Sequence, residues 1–363
     1  MNKRQLVLED GTILTGKAFG SMNPSTGEVI FNTSMTGYQE VLSDPNYNGS
    51  IVVMTYPAIG GYGINRDDFE AITPFVKGMI VKDFVEEPSN FRSEESIDEY
   101  MKKHGIPGIS GIDTRMLARI LREKGTMKGR IIMEGEDNAL PPTGEDLSDL
   151  LVRETSITKP YIVPGKGKRV VVIDLGMKQS ILHELMEREF HVTVVPYDYD
   201  VDAILANKPD GVLISNGPGN PTQLKQTLET IQTLLGKTPL FGIGLGHQLL
   251  GIASGAKIEK LHVGNYGANY PVKDLQTDKT WLTTQSRHYY IDETSLEDTP
   301  LTITHRSLND QTIEGLRHTK YPAFSVQFNP EGAPGSNETN FLFDQFIELI
   351  KEHTLQTGAD SHA

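Results

Sequence analysis

The sequence predicts an α/β protein in two domains: a mixed α/β domain over residues 1–154, and a domain over 169–355 built on a mainly parallel, helix-covered sheet. Three observations lead there. The 363 residues exceed what one hydrophobic core usually serves, about 250–300. The stretch TSITKPYIVPGKGK (155–168), rich in Lys, Pro and Gly, reads as a linker. From Arg169 onward, short apolar runs alternate with amphipathic ones, the rhythm of βαβ units and a parallel sheet.

In the first half, QLVLEDGTILTG sets Asp10-Gly11 between two alternating apolar runs, a hairpin signal, and GEVIFNTSM is a strand. SEESIDEYMKKHG reads as a short helix with Ser93 as its cap and Gly105 as its stop. In GIDTRMLARILREKG, Asp113 caps a helix whose apolar stripe is Met116, Leu117, Ile120 and Leu121, ending at Gly125. NALPPTGED is a loop. In the second half, RVVVID, HVTVVPY, GVLIS and PLFGI are buried strands, and KQSILHELMERE, VDAILANK and TQLKQTLETIQTLLG are the helices between them. Short strands are expected from Ala256 to Phe328, then a closing helix, ETNFLFDQFIELIKEH, and a disordered tail over 356–363.

The net charge of −14 argues against nucleic acid or an anionic membrane as the main partner. No apolar run reaches the roughly 18 residues of a membrane span, and the N-terminus turns polar too soon for a secretory segment. The expected location is therefore cytoplasmic. The absence of cysteine excludes disulfides, thiolate metal sites and thiol nucleophiles. No metal site is expected in this chain.

In open parallel sheets, ligands bind at the carboxyl ends of strands, where loops meet helix N-termini. Two loops fall there. NGPGNP follows GVLIS, and its glycines allow backbone amides to approach a ligand, although taken by itself the loop reads more readily as a tight turn before a helix. The second, Gly242-Ile243-Gly244-Leu245-Gly246, joins PLFGI to a helix with the spacing of a nucleophile elbow, a strained turn that presents its central residue beside oxyanion-hole amides. Its centre is glycine. A dinucleotide loop is a weaker reading, since the spacing is not GxGxxG and the loop follows a late strand.

NGPGNP, FGIGLGHQLLG and SVQFNPEG together resemble the class I (triad) glutamine amidotransferases. TGYQEVLSDPNYNGSIVVMTYPAIGGYGIN and GIPGISGIDTRMLARILREKGTMKG resemble the small chain of carbamoyl-phosphate synthase, and the likeness runs from Leu6 to Lys351. The resemblance implies a heteromeric ligase making carbamoyl phosphate from bicarbonate, ATP and a nitrogen source, for arginine and pyrimidine synthesis. The small chain hydrolyses glutamine and passes ammonia to a large synthetase chain. ATP and magnesium belong to that large chain, so no cofactor is expected in this one.

The resemblance also assigns positions. Ser50, otherwise an exposed loop hydroxyl, matches a serine that reaches toward glutamine. Gly217 and Gly219 match the glycines of backbone approach, Gly242 and Leu245 the oxyanion-hole amides, and Gln248 a residue that holds substrate. The reacting groups differ. Gly244 stands where the family has its nucleophilic cysteine, and Asn329 where it has the histidine that deprotonates the thiol and later protonates ammonia. An amide exchanges no proton near neutral pH. Glu331, which orients that histidine, has nothing comparable to orient and reads as a solvated or structural carboxylate.

The pocket segment S-Q-N-H-G-(F/Y) appears as Thr284-Gln285-Ser286-Arg287-His288-Tyr289, with Ser286 for an Asn contact and His288 for a Gly against which substrate backbone rests. Asn265, Tyr266 and Tyr270 replace His, Arg and His around a retained Gly267-Ala268-Asn269. His247 is adjacent to the elbow but occurs there in active members too, and reads as a structural residue at the helix start. These features lead to a small chain whose own glutaminase step is lost and whose complex uses ammonia. The alternatives are hydrolysis by an unrecognised nucleophile, or a non-catalytic chain that senses glutamine or another metabolite.

Overall fold

The structure, a computed structural model, describes residues 3–136 and 148–360. They form two compact units: residues 3–136 together with His262–Ala268, and residues 148–261 together with 269–360.

The first unit contains β1 (Lys3–Leu8), β2 (Ile13–Gly20), β3 (Ser25–Asn32), α1 (Tyr38–Ser43), β4 (Ser50–Met54), β5 (Ala58–Ile59), β6 (Gly78–Ile80), β7 (Asp83–Phe84), α2 (Ile97–Lys103), β8 (Pro107–Ser110), α3 (Thr114–Lys124) and β9 (Met127–Met133). Seven strands close into a barrel in the order β1-β2-β8-β6-β4-β3-β9. The expected hairpin is present, with Val7 opposite Ile13 and Lys3 opposite Lys17. Strand alternation divides the core in two. Ile51 and Val53 of β4 join the cluster containing Leu117 and Leu121 of α3, whereas Val52 and Met54 join the one containing Val41, Leu42 and Met101.

α2 is capped by Ser96 and not by Ser93. Ser96 Oγ accepts from the Glu99 amide while the Glu99 carboxylate accepts from Ser96 N, a reciprocal capping box. Ser93 lies too far upstream to reach that turn. α3 begins as expected, with Asp113 accepting from Met116 N, but Met116 is exposed and only Leu117 and Leu121 of the expected stripe are fully buried.

The second unit contains α4 (Ser148–Thr155), β10 (Tyr161–Val163), β11 (Arg169–Asp174), α5 (Gln179–Glu187), β12 (His191–Pro196), α6 (Val201–Ala206), β13 (Gly211–Ile214), α7 (Lys225–Leu234), β14 (Leu240–Ile243), α8 (Leu245–Ala253), β15 (Ile258–Asp274), β16 (Thr280–Ile291), β17 (Leu301–Ser307), β18 (Ile313–His318), β19 (Ala323–Val326) and α9 (Phe341–Asp360). The sheet order is β10-β12-β11-β13-β14-β19-β18-β17-β15-β16, parallel from β12 through β19 and antiparallel at both ends. Val170 and Val172 pack on one face with Ile181 and Leu185 of α5 and Phe343 and Phe346 of α9. Val171 and Ile173 pack on the other with Ile231 of α7 and Leu249 of α8. Near-continuous apolar strands are what a sheet covered on both faces requires.

Four expectations are corrected. The linker over 155–168 contains β10, paired antiparallel with β12, and α4 belongs to the second unit because Val152 lies in its core. Between 256 and 328 the first two strands are long, 17 and 12 residues. Within β15, His262–Ala268 belongs to the first unit: Tyr266 packs 5.5 Å from Tyr47, and its carbonyl accepts from Thr33 N. α9 runs to Asp360, so residues 356–360 continue a helix. Both 361–363 and the loop expected over 138–146 lie outside the described residues.

Candidate active site

Three loops meet at the carboxyl ends of β11, β13 and β14. The first, after β11, is held by Asp174, whose Oδ1 accepts from Gly176 N and Met177 N at 2.9 and 2.7 Å. Burial is the largest influence on this carboxyl and raises its pKa, against the backbone amides that lower it. The second loop begins at Asn216, which is buried. Its Oδ1 accepts from Lys178 N at 3.1 Å and its Nδ2 donates to Gly176 O at 3.0 Å, joining the first two loops. Gly217 packs against the carbonyl of Leu175, where a Cβ would collide, and Gly219 has φ +97°.

The third loop is the elbow itself. Gly244 caps α8 with φ 58° and ψ −110°, a combination that side chains of L-residues oppose. Its N–H donates to Val326 O, and its carbonyl accepts from His247 N and Gln248 N. A Cβ built at Gly244 would lie 3.4 Å from Asn216 Cβ and 3.9 Å from Gln327 O, ordinary contact distances. The elbow therefore has room for a side chain and a backbone that resists one. Leu245 is the first residue of α8, so its N–H has no intrahelical acceptor, as an oxyanion donor needs.

Gly242 is different. It lies inside β14 in register with Ile214 and Ser325. Leu240 N donates to Pro322 O and Gly244 N to Val326 O, so the intervening amide on that side of the strand belongs to the β14–β19 ladder. This corrects its assignment as an oxyanion donor. Its lack of a side chain serves packing, since a Cβ would sit 2.6 Å from Gly246 O.

Behind the elbow, His247 is wholly buried, with Nδ1 2.9 Å from Ser325 Oγ. Burial, reinforced by the Arg287 guanidinium, lowers its pKa to about 3, so it stays neutral. Through the Ser325 contact it joins the first turn of α8 to β19. Gln248 Nε2 donates to Gln327 Oε1 at 2.9 Å and to Tyr289 O at 3.1 Å, tying α8 to β16 and to the chain after β19.

Asn329 is buried and joined to the pocket wall, its N–H donating to Thr284 O at 2.9 Å, while its Nδ2 has no hydrogen-bond partner among the described residues. Ser286 and His288 share one side of β16 with Thr284, and Gln285 and Arg287 occupy the other. Ser50 belongs to the first unit. It opens β4 opposite Glu28 and is buried, not an exposed loop hydroxyl.

Glu331 is neither solvated nor idle. Its Oε1 accepts from Lys178 Nζ at 2.7 Å, both side chains are fully buried, and Lys178 also donates to Ala333 O. Sequence reasoning missed Lys178. Its only signal was a cationic residue between the buried strand β11 and the first turn of α5. It also missed the buried pair of Arg287 with Glu314 on β18, at 2.5 Å. There, burial raises the Glu314 carboxyl to about 7, against the opposing pull of Arg287. That pair had no local signal, because its members are 27 residues apart.

Comparison with known proteins accounts for both halves of the chain. Residues 6–131 match the carbamoyl-phosphate synthase small chain family, CPSase domain, and residues 171–349 match glutamine amidotransferase class-I. A carbamoyl phosphate synthase small chain of Oceanobacillus iheyensis is 52% identical, with all of both chains covered. A carbamoyl phosphate synthase pyrimidine-specific small chain of Bacillus subtilis is 51% identical, with 96% of each covered. An elbow between β14 and α8, a glycine loop after β13 and a barrel unit ahead of them therefore have one common explanation: the chain belongs to the carbamoyl-phosphate synthase small-chain family.

Proposed function

We propose that this chain is the amidotransferase-type partner of a large synthetase chain and has lost its own glutamine hydrolysis, so that the complex makes carbamoyl phosphate from bicarbonate, ATP and free ammonia. The observation that carries this reading is Gly244 at the apex of the elbow, in a backbone conformation suited to glycine. Covalent catalysis needs a nucleophile at that point with a base in reach. The apex offers no heteroatom, and Asn329 at the base position can donate and accept hydrogen bonds but cannot relay a proton. Glu331, paired with Lys178, serves as an anchor for the loop carrying Asn329 and Ala333.

The test is made on the co-expressed complex. Carbamoyl phosphate is expected from ammonium and not from glutamine. Glutamine-dependent turnover equal to the ammonium rate would overturn the reading. In a second arm, Gly244→Cys and Asn329→His are introduced together. No recovery is expected, because Ser286 and His288 have also changed the pocket wall and the Gln248 amide already holds Gln327 and the Tyr289 carbonyl.

A further inference from the structure

Gly244 leaves the apex of the elbow without a side chain, yet hydrogen-bond donors around it remain unspent. Of the first-turn amides of α8, Gly246 N donates to Ser215 O, and His247 N and Gln248 N donate to Gly244 O. Leu245 N–H has no acceptor among the described residues. Two side chains of the pocket wall are in the same condition. Asn329 is 2% exposed, and neither its Nδ2 nor the buried Ser286 Oγ has a hydrogen-bond partner among the described residues.

The fold brings these donors together. Asn329 stands opposite Thr284 in an antiparallel bridge, so the two side chains lie on one side, and Ser286, two residues along β16, shares it. Gln248 ties the first turn of α8 to both stretches, through Gln327 Oε1 at 2.9 Å and Tyr289 O at 3.1 Å. The apex between them has room, since a Cβ at Gly244 would meet nothing closer than 3.4 Å.

Each unspent group is a neutral donor. The nearby cations are already matched, Lys178 by Glu331 at 2.7 Å and Arg287 by Glu314 at 2.5 Å. A dianion such as phosphate would call for a cation that these pairs do not supply. A water accepts two such bonds and must place its own hydrogens, whereas a carboxylate accepts about four and has none to place. The positive end of the α8 dipole favours the same charge. His288 limits the size, because it stands where the family keeps a glycine against the backbone of glutamine.

We propose that the vacated elbow is a binding site for a small monocarboxylate, held by Leu245 N–H, Asn329 Nδ2 and Ser286 Oγ. The inference rests on the loss of hydrolysis proposed above, since a covalent glutaminase would need this space for its nucleophile.

The probe is sodium formate, titrated into the full-length chain at constant ionic strength and followed by saturation transfer from the protein to the formate proton. Saturable binding is expected, with a Kd of about 1 mM or somewhat weaker for a ligand of so few atoms. Ser286→Ala and Asn329→Ala should each weaken it at least about tenfold. The Ser286→Ala chain should melt at the parental temperature, because its hydroxyl is unpaired, and this separates lost binding from lost folding. Formate binding that does not saturate, or that is unchanged in both variants, would overturn the inference and leave ammonium-dependent synthesis by the complex untouched. Displacement of formate by an equal concentration of glutamine would overturn it as well, since the site would then still admit the whole amino acid. Glutamine-dependent turnover by the complex would remove the loss of hydrolysis, and this assignment with it.

Discussion

Replacing Gly244 by alanine separates backbone strain from steric exclusion at the elbow. With φ 58° and ψ −110°, the residue lies outside even the small left-handed region open to L-residues, so strain of about 1–3 kcal/mol is expected. Sterics add little, since the nearest atoms to the new Cβ are 3.4 and 3.5 Å away. A loss of about 2 kcal/mol, divided by a urea slope of about 3 kcal/mol per molar, lowers the midpoint by about 0.7 M. Trp281, the only tryptophan in the sequence, lies in β16 of the second unit, so its fluorescence reports this unit in isolation. Gly246→Ala is the contrasting variant. Its Cβ would drive into the Ile214 carbonyl, a backbone atom that cannot rotate away, and a cost of about 3 kcal/mol or more is expected. An unchanged midpoint for Gly244→Ala would refute the claim that conformation, and not space, favours glycine there.

Two further perturbations test the groups around the elbow. Lys178→Met leaves the Glu331 carboxylate buried without its cation and should cost about 3–5 kcal/mol, largely recovered when Glu331→Gln is added; a loss below about 1 kcal/mol would show that the pair does not hold this loop. The buried His247, packed near Arg287 of β16, His305 of β17 and Ser325 of β19, has a folded pKa lowered from 6.5 to about 3. The unfolded chain therefore binds the proton first, and stability present above pH 6.5 is lost as pH falls toward 3. Glu314, raised to about 7, acts in the opposite direction between its unfolded value near 4.5 and 7, so the comparison must be with His247→Gln, whose urea midpoint should fall less below pH 6.5. Parallel profiles for parent and variant would exclude His247 as the source.

Much of this fold was legible because the signals are local. The hairpin at Asp10-Gly11, the Asp113 cap and the strand–helix alternation from Arg169 each depend on residues within a few positions of one another. Errors came where several local solutions competed. Ser93 and Ser96 are both competent caps by type, and only Ser96 stands three residues before the glutamate that completes the box. β10 was hidden in a stretch whose Pro and Gly content reads as linker, and it owes its strand character to pairing with β12. The 262–268 segment could not be assigned by sequence order, because its partner Tyr47 lies in the other half of the chain.

By itself, the sequence determined what chemistry is possible: a chain without cysteine lacks the atoms for a thiol-based hydrolysis wherever its other residues sit. Covalent composition sets that limit, and no folding can relax it. Tertiary structure decided what the remaining groups do. It gave the Gly242 amide to a sheet ladder, turned Glu331 from a stranded carboxylate into the buried partner of Lys178, and made His247 a neutral brace against Ser325. Each of those roles depends on burial and on contacts between residues at least 78 positions apart, and desolvation by distant segments leaves no local trace in the sequence.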